Sequence, residues 1–328
     1  MNRGIPFSQY RIALLELCPV AGGSWGFFYS VNDTANWLLG RLTRSTVAAT
    51  VGTASPNTPV GVFQVDLTIS TNTPNYNLKV AAIAAGWDQI IPLIATVTVN
   101  SGVYVYATST GNAAFDTGSG YPGGSTITLL NNGYIMGMGG AGGSMGVNGQ
   151  AGGNAINAML PMIIASSSGY IMGGGGGGGG GGFSYNFLYP CKYQYPTGDG
   201  FGGGGGGGGA GYNPSSGAAG GIPPSGVDKR NGYAGAPGTA GGGGAGGAGG
   251  CFGCSGVKSG GSGGNGGGFG APGATGGVGY SYNGCTGVTG SISTVGSGGA
   301  GGKAVNPNGN AITWISGFPT GHVYGATN

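Results

Sequence analysis

At 328 residues the chain has room for one to three domains. With only 5% charged residues and a formal net charge of +3, electrostatics cannot be the main attraction to a partner. The ten Lys and Arg residues are scattered from Arg3 to Lys303, which excludes the basic patch that nucleic-acid binding requires.

No stretch of about 18 apolar residues is present to span a membrane. The apolar segment 12–20 is interrupted by Glu16 and edged by Arg11, so it is a poor secretory signal, and synthesis in a cytoplasm without export is expected. Five cysteines, Cys18, Cys191, Cys251, Cys254 and Cys285, are an odd number and exclude a complete intrachain disulfide framework.

Residues 1–60 read as a small adaptor region that attaches the chain to a larger assembly, with a minor packing domain as the alternative. Residues 10–18 form a buried strand or a short helix, between which period alone does not decide. Residues 36–42 form a second apolar patch holding Trp37, and Ser55 to Pro59 form a turn.

Residues 61–132 form a β-rich domain. Phe63, Val65, Leu67 and Ile69 alternate with polar residues at the period of a half-buried strand. Residues 77–85 hold two helical turns ending at Gly86. Residues 94–99 and 103–106 flank Asn100-Ser101-Gly102 as a hairpin or a tight corner between strands. Residues 125–130 are a further strand, stopped by Asn131-Asn132-Gly133.

Residues 133–328 are dominated by glycine. Of 87 glycines, 75 lie beyond residue 120, with unbroken runs at 173–182 and 202–209. Glycine loses the most backbone entropy on ordering, so a flexible linker is the first reading. Two features oppose it: Tyr, Phe, Ile, Met and Val punctuate the tracts, and side chains recur every third residue at Ala245, Ala248, Cys251, Cys254 and Val257, then at Phe269, Pro272, Thr275 and Val278. Three is the period of the extended polyproline-II helix, which has no internal hydrogen bonds. Its backbone groups must bond sideways. The expected fold is therefore mainly β: a β-rich N-terminal half, then a bundle of extended polyglycine-II helices with aromatic connecting loops.

Two internal echoes accompany the tracts. Gly133-Tyr134-Ile135-Met136-Gly137 returns as Gly169-Tyr170-Ile171-Met172-Gly173, and residues 153–157 are echoed at 302–306. The unit reads as strand, turn, strand and glycine helix, but two copies do not establish a solenoid. Residues 311–316, with Trp314, form a closing strand, and Tyr324 belongs to another.

The order of these motifs resembles that of glycine-rich tip proteins of tailed-phage fibres, of the T-even-like distal adhesin type. The matching segments are Asn75 to Lys79, Gly86-Trp87-Asp88, Ala95 to Gly102, Thr117 to Gly120 and Asn131 to Ile135. The glycine tracts, residues 302–306 and Ile312-Thr313-Trp314 follow in the same order. The resemblance covers residues 65–328. It implies that the glycine helices form a sandwich and that the segments between them touch a bacterial outer-surface receptor, protein or glycan. It also implies a place in the virion, at a tail tip or fibre; residues 1–60, which match nothing in that family and read as an adaptor, are then expected to be gripped by other tail or fibre proteins. A homotrimer associating through the N-terminal half is expected from the cyclic symmetry of fibres, with a single tip per fibre as the alternative.

Enzyme chemistry finds no support in these residues. Gly-x-Gly-x-x-Gly recurs by chance in such a composition, and the phosphate-loop candidate ending Gly302-Lys303-Ala304 lacks the Ser or Thr that would hold magnesium. His322 is the only histidine and reads as a surface or packing residue; seven scattered carboxylates offer no acid–base pair. No cofactor or metal is expected. Cys251 and Cys254 in an extended helix would stand about 9 Å apart, beyond the roughly 7 Å reach of a direct bridge. They pair with Cys191 or Cys285 or remain free.

The candidate receptor-binding residues are the aromatics of the connecting segments: Phe183, Tyr185, Phe187, Tyr189, Tyr193, Tyr195, Tyr212, Tyr233, Tyr280 and Tyr282. Tyrosine gives large contact area at low entropy cost, and loops on rigid scaffolds are where binding concentrates. Packing of these rings on one another is the competing role. The rival function is a purely structural glycine-rich virion or cell-wall protein with no specific ligand.

Overall fold

The computed structural model describes strands in residues 12–20, 24–31 and 37–40, and then residues 61–166, 168–187, 200–201, 203–212, 229–240, 242–250, 260–283, 287–289, 294–315 and 321–328. Two compact units divide the chain, Met1–Val60 and Gly61–Asn328. The second unit thus contains both the region 61–132 and the region 133–328.

In the first unit β1 (Ile12–Val20), β2 (Ser24–Val31) and β3 (Trp37–Gly40) form an antiparallel sheet in that order. Within the ambiguous segment 10–18, the described residues 12–18 are strand, pairing with β2 from Leu14↔Ser30 onward to Val20↔Ser24. The apolar patch around Trp37 supplies β3, which pairs Phe28 with Leu39.

The second unit is built on a coil that cycles through three parallel sheets. Its first turn comprises β4 (Phe63–Ile69), β5 (Thr73–Pro74) and β6 (Tyr76–Asn77). Helix α1 (Leu78–Ala84) follows, its first turn capped by the Asn77 side chain, which accepts from Val80 N–H at 3.1 Å. The helix buries Leu78 and Ala82 and stops at Gly86, where φ is +104°. The second turn is β7 (Leu93–Val99), β8 (Tyr104–Tyr106) and β9 (Phe115–Asp116). The Asn100-Ser101-Gly102 segment is therefore a corner and not a hairpin: β7 and β8 belong to different sheets, and Gly102 takes φ +76°.

The third turn is β10 (Thr126–Asn131), β11 (Tyr134–Met136) and β12 (Ile156–Asn157), with residues 137–155 leaving the coil between the last two. The fourth starts with β13 (Met162–Ala165) and β14 (Tyr170–Met172). A long departure then carries β15 (Ser184–Phe187), β16 (Gly200–Phe201), β17 (Lys229–Arg230), β18 (Ser281–Asn283) and β19 (Gly287–Thr289) before β20 (Val305–Asn306) completes the turn. Finally β21 (Ile312–Trp314) and β22 (Val323–Tyr324) add to two of the sheets. These are the C-terminal strands expected around Trp314 and Tyr324.

The coil is a solenoid, which the two visible echoes did not establish. Both echoes are adjacent rungs of it: Tyr134, Ile135 and Met136 lie in register with Tyr170, Ile171 and Met172, and Ile156 with Val305. Alternate residues point inward and fill its interior. Leu93, Ala95, Val97 and Val99 come from one strand, and Ile127, Leu129, Met162, Ile164, Ile135, Ile171, Phe115 and Ile156 from others, all buried. Each large aliphatic side chain so buried contributes about 1.5–3 kcal/mol. Asn131 is buried too, but satisfied. Its Nδ2 donates to Ser166 Oγ at 3.1 Å and to Tyr170 O at 3.2 Å, and its Oδ1 accepts from Gly133 N–H at 3.2 Å.

Outside the coil, the glycine segments are tied to one another by backbone hydrogen bonds at every third residue. In residues 173–182, Gly174, Gly177 and Gly180 donate to Gly153, Gln150 and Val147; Gly175, Gly178 and Gly181 donate to Ala210, Gly207 and Gly204; Gly176, Gly179 and Gly182 donate to Ala271, Ala274 and Gly277. Their carbonyls accept in the same rhythm from residues 140–146, 261–267 and 296–302. The segment is buried throughout. Its orphan polar groups are thus satisfied laterally.

Candidate functional site

The glycine segments have one end on the solenoid. Gly137 N–H donates to Met172 O and Gly173 N–H to Tyr324 O, where both leave the sheet of β11, β14 and β22. At their other end Gly182 meets Gly277, Gly204 meets Gly261, and Gly260 meets Gly250. The connections 183–202, 251–259 and 280–293 therefore all join tracts at the end remote from the solenoid. The turn closed by Val147 N–H on Ser144 O, with Gly146 at φ +69°, lies there as well.

A small sheet gathers part of this remote end, in the order β17, β16, β15, β18, β19. Ser184 pairs with Phe201, Asn186 with Tyr282, and Gly200 with Lys229. The backbone thus brings Tyr185 and Phe187 on β15 into one sheet with Tyr282 on β18, although about a hundred residues separate them. Phe183 is half-buried just before β15, while Tyr233 and Tyr280 are 67% and 47% exposed. Tyr189, Tyr193 and Tyr195 lie outside the described residues, as do Cys191, Cys251, Cys254 and Cys285. Tyr212 is placed elsewhere: it packs at the solenoid end against Tyr104 and Tyr106, with ring centroids 5.1 and 4.2 Å away.

Sequence reasoning missed the aromatic column that Tyr212 covers. Parallel register stacks Tyr104 on Tyr134 at 4.6 Å, Tyr134 on Tyr170 at 5.4 Å, and Tyr170 on His322 at 4.5 Å. The 36-residue echo carried the signal for the middle pair. Beside the column is a groove of about 550 Å³, floored by Met136 and Met172 and faced by Ala240 and Phe269. His322 ends the stack, its Nδ1 3.1 Å from Gly169 O.

Titratable chemistry is sparse. Burial pushes the Tyr76 phenol up to about 12, and burial followed by the charge of Asp116 raises that of Tyr121 further. Both belong to the solenoid: Tyr76 stacks on Phe115 at 5.2 Å and Tyr121 on Trp87 at 5.2 Å. Among the described residues no three of His, Cys, Asp and Glu come together to hold a metal ion, and no helix is long and apolar enough to cross a membrane.

The structure thus joins a parallel-stranded solenoid to laterally bonded glycine segments, with a small sheet at their far end. The family described as phage tail fibre adhesin Gp38 matches residues 64–328, and the chain belongs to that family. It is a receptor-binding adhesin of a phage tail fibre. Residues 1–60 lie outside the match. Among solved structures the chain is similar to the gp37-gp38 adhesin tip complex of the bacteriophage S16 long tail fiber. Identity is 24%, with 81% of this chain and 82% of that one covered and a TM-score of 0.42. No curated protein matches.

Proposed function

We propose that the adhesin grips its bacterial receptor through the remote connections, and that the glycine segments are a bundle of polyglycine-II helices holding those connections in place. The observation carrying this reading is the hydrogen-bond rhythm of residues 173–182. Donors in three directions and acceptors in three more, each repeating every third residue, suit an extended threefold helix surrounded by others. Such a bundle uses its backbone groups internally and has almost no side chains to offer. Recognition then falls to the connecting segments, where Tyr185, Phe187 and Tyr282 share a sheet and Tyr233 and Tyr280 are exposed. The role is binding and not catalysis. Residues 1–60, a unit of their own beyond the family match, attach the chain to other tail or fibre proteins, and the assembled state is a homotrimer.

Blocking of phage adsorption by the purified protein tests the recognition role. Replacing Tyr185, Tyr189 and Tyr193 by serine together should leave the fold intact and weaken attachment, since a buried anchor aromatic at an interface is worth about 2 kcal/mol or more. A folded triple variant that blocks adsorption as well as the parent would place recognition elsewhere. Light scattering that reports a monomer for the full chain would remove the trimer.

A further inference from the structure

We infer that the groove beside the aromatic column is a second binding site, at the solenoid end of the chain, for a neutral oligosaccharide of the bacterial surface. The inference goes beyond the tip reading and does not depend on it. The groove is built on β8, β11 and β14, and the remote connections contribute nothing to its lining. Its volume of about 550 Å³ lies within the roughly 300–1,000 Å³ usual for small-ligand sites.

The polar groups come from the column. Tyr104, Tyr134 and Tyr170 are half-buried and stand in register on adjacent strands, with successive rings inclined by only 10° and 7°. Their hydroxyls therefore repeat along the groove at the step between strands, about 4.7–4.9 Å. None of these three hydroxyls has a hydrogen-bond partner among the described residues. Tyr324 also lines the groove, but its hydroxyl donates to Gly321 O at 2.9 Å. Tyr212 against Tyr104 and His322 against Tyr170 close the two ends of the stack, so the row is set before a ligand arrives. Around the row the lining is apolar: Met136 and Met172 form the floor, and Phe269 stacks on no other ring among the described residues.

This chemistry selects the ligand. No Lys, Arg, Asp or Glu lines the groove, so a charged ligand would lose water without gaining a partner charge. The column's ring faces, which could attract a cation, are turned on one another. An extended peptide would need a free sheet edge, and β8, β11 and β14 are each paired on both sides. An acyl chain would cover the methionines but leave three hydroxyls cut off from water and unbonded. A saccharide meets both demands: its C–H faces pack on Met136, Met172 and Phe269, and its hydroxyls bond to the phenols. Because sugar units repeat along a chain, an oligosaccharide matches a row of identical groups.

The test measures, by equilibrium dialysis, binding of the full-length protein to polysaccharide released from host cells and freed of lipid, protein and phosphate. The parent should bind it. Tyr134→Phe with Tyr170→Phe keeps the stack and removes two hydroxyls; it should weaken binding about fivefold or more, with thermal unfolding unchanged. Ala240→Trp, at an exposed position in the lining, should abolish binding by filling the groove. The variant with Tyr185, Tyr189 and Tyr193 replaced by serine should bind the polysaccharide as the parent does, which separates this site from the tip. Failure of the parent to bind overturns the inference. So does a folded phenylalanine pair that binds like the parent. Loss of binding in the serine variant alone would move sugar recognition to the remote connections, and the groove would again have no ligand.

Discussion

A single methyl group at Gly178 is expected to unravel the glycine segments. An alanine Cβ there would lie 2.5 Å from the carbonyl carbon of Gly264, closer still to its oxygen, and 2.8 Å from Asn265 O, where real Cβ atoms essentially never come within 3.0 Å. Both contacts are backbone, so no side chain can swing away. The neighbouring segment must move, and it is held by bonds from Gly264 N–H to Gly179 O at 2.8 Å and from Gly207 N–H to Gly264 O at 2.9 Å. Overpacking costs about 1–3 kcal/mol, and each buried backbone group left without a partner adds about 1–3 kcal/mol. Against this, alanine restricts the unfolded chain and returns only about 0.4–1 kcal/mol. Destabilisation wins by about 3 kcal/mol. Thermal unfolding should therefore fall by roughly 6–12 °C, from roughly 2–4 °C per kcal/mol for a unit of this size. Gly242→Ala is the control: nothing lies within 4 Å of its added methyl, and it should unfold within about 1 kcal/mol of the parent. Equal stability of the two variants would refute the close-packed reading of residues 173–182.

Amide exchange in residues 204–209 should be slow, because every N–H from Gly204 to Gly209 has a carbonyl partner at 2.8–3.0 Å; full exchange within the dead time would return these residues to a linker. Asn131→Ala should cost about 3 kcal/mol in denaturant unfolding, since Gly133 N–H and Tyr170 O lose their buried partner. A loss below 0.5 kcal/mol would show that the side chain is dispensable. Tyr76 gives an alkaline limit. Its phenol is raised by burial to about 12, so above its ordinary value of 10.0 the unfolded chain releases the proton while the folded one retains it. Stability is complete below pH 10 and declines from there to pH 12. Tyr76→Phe should flatten that decline, and an unchanged profile would assign it to other groups.

Much of the fold was legible because local pattern and fold agreed. Residues 63–69 alternate cleanly and are a half-buried edge strand, and Asn77 precedes a helix it caps. The solenoid was harder to see. Its turns differ in length, α1 and two glycine departures interrupt it, and strands such as β6 and β9 are only two residues long, too short for any period to show. The hydrogen-bond partners of glycine were also illegible, since a residue without a side chain carries no mark of what lies beside it. At the candidate site the connections were picked out by composition, and Tyr212 was grouped with them by its position in the sequence, whereas the structure sets its ring apart from them. It follows the tract that returns to the solenoid, and its ring joins Tyr104 and Tyr106. That column depends on register across turns, which only the Tyr134–Tyr170 echo betrayed.

The order in which the coil is completed bears on how the protein is made. Residues 305–324 supply the third side of the fourth turn and all of the fifth, so Ile156 waits for Val305, and Ile164 for Trp314. The links between them span about 150 positions: Asn148 holds Ser297 N–H at 2.8 Å and Asn154 holds Lys303 N–H at 2.9 Å. Translation proceeds at about 5–20 residues per second, and contacts this distant in sequence form slowly. A nascent chain halted at residue 300 would contain the glycine tracts but none of the three strands that seal the interior. The strands that close the coil are made after the glycine tracts, and a chain cut short before them would keep an open core.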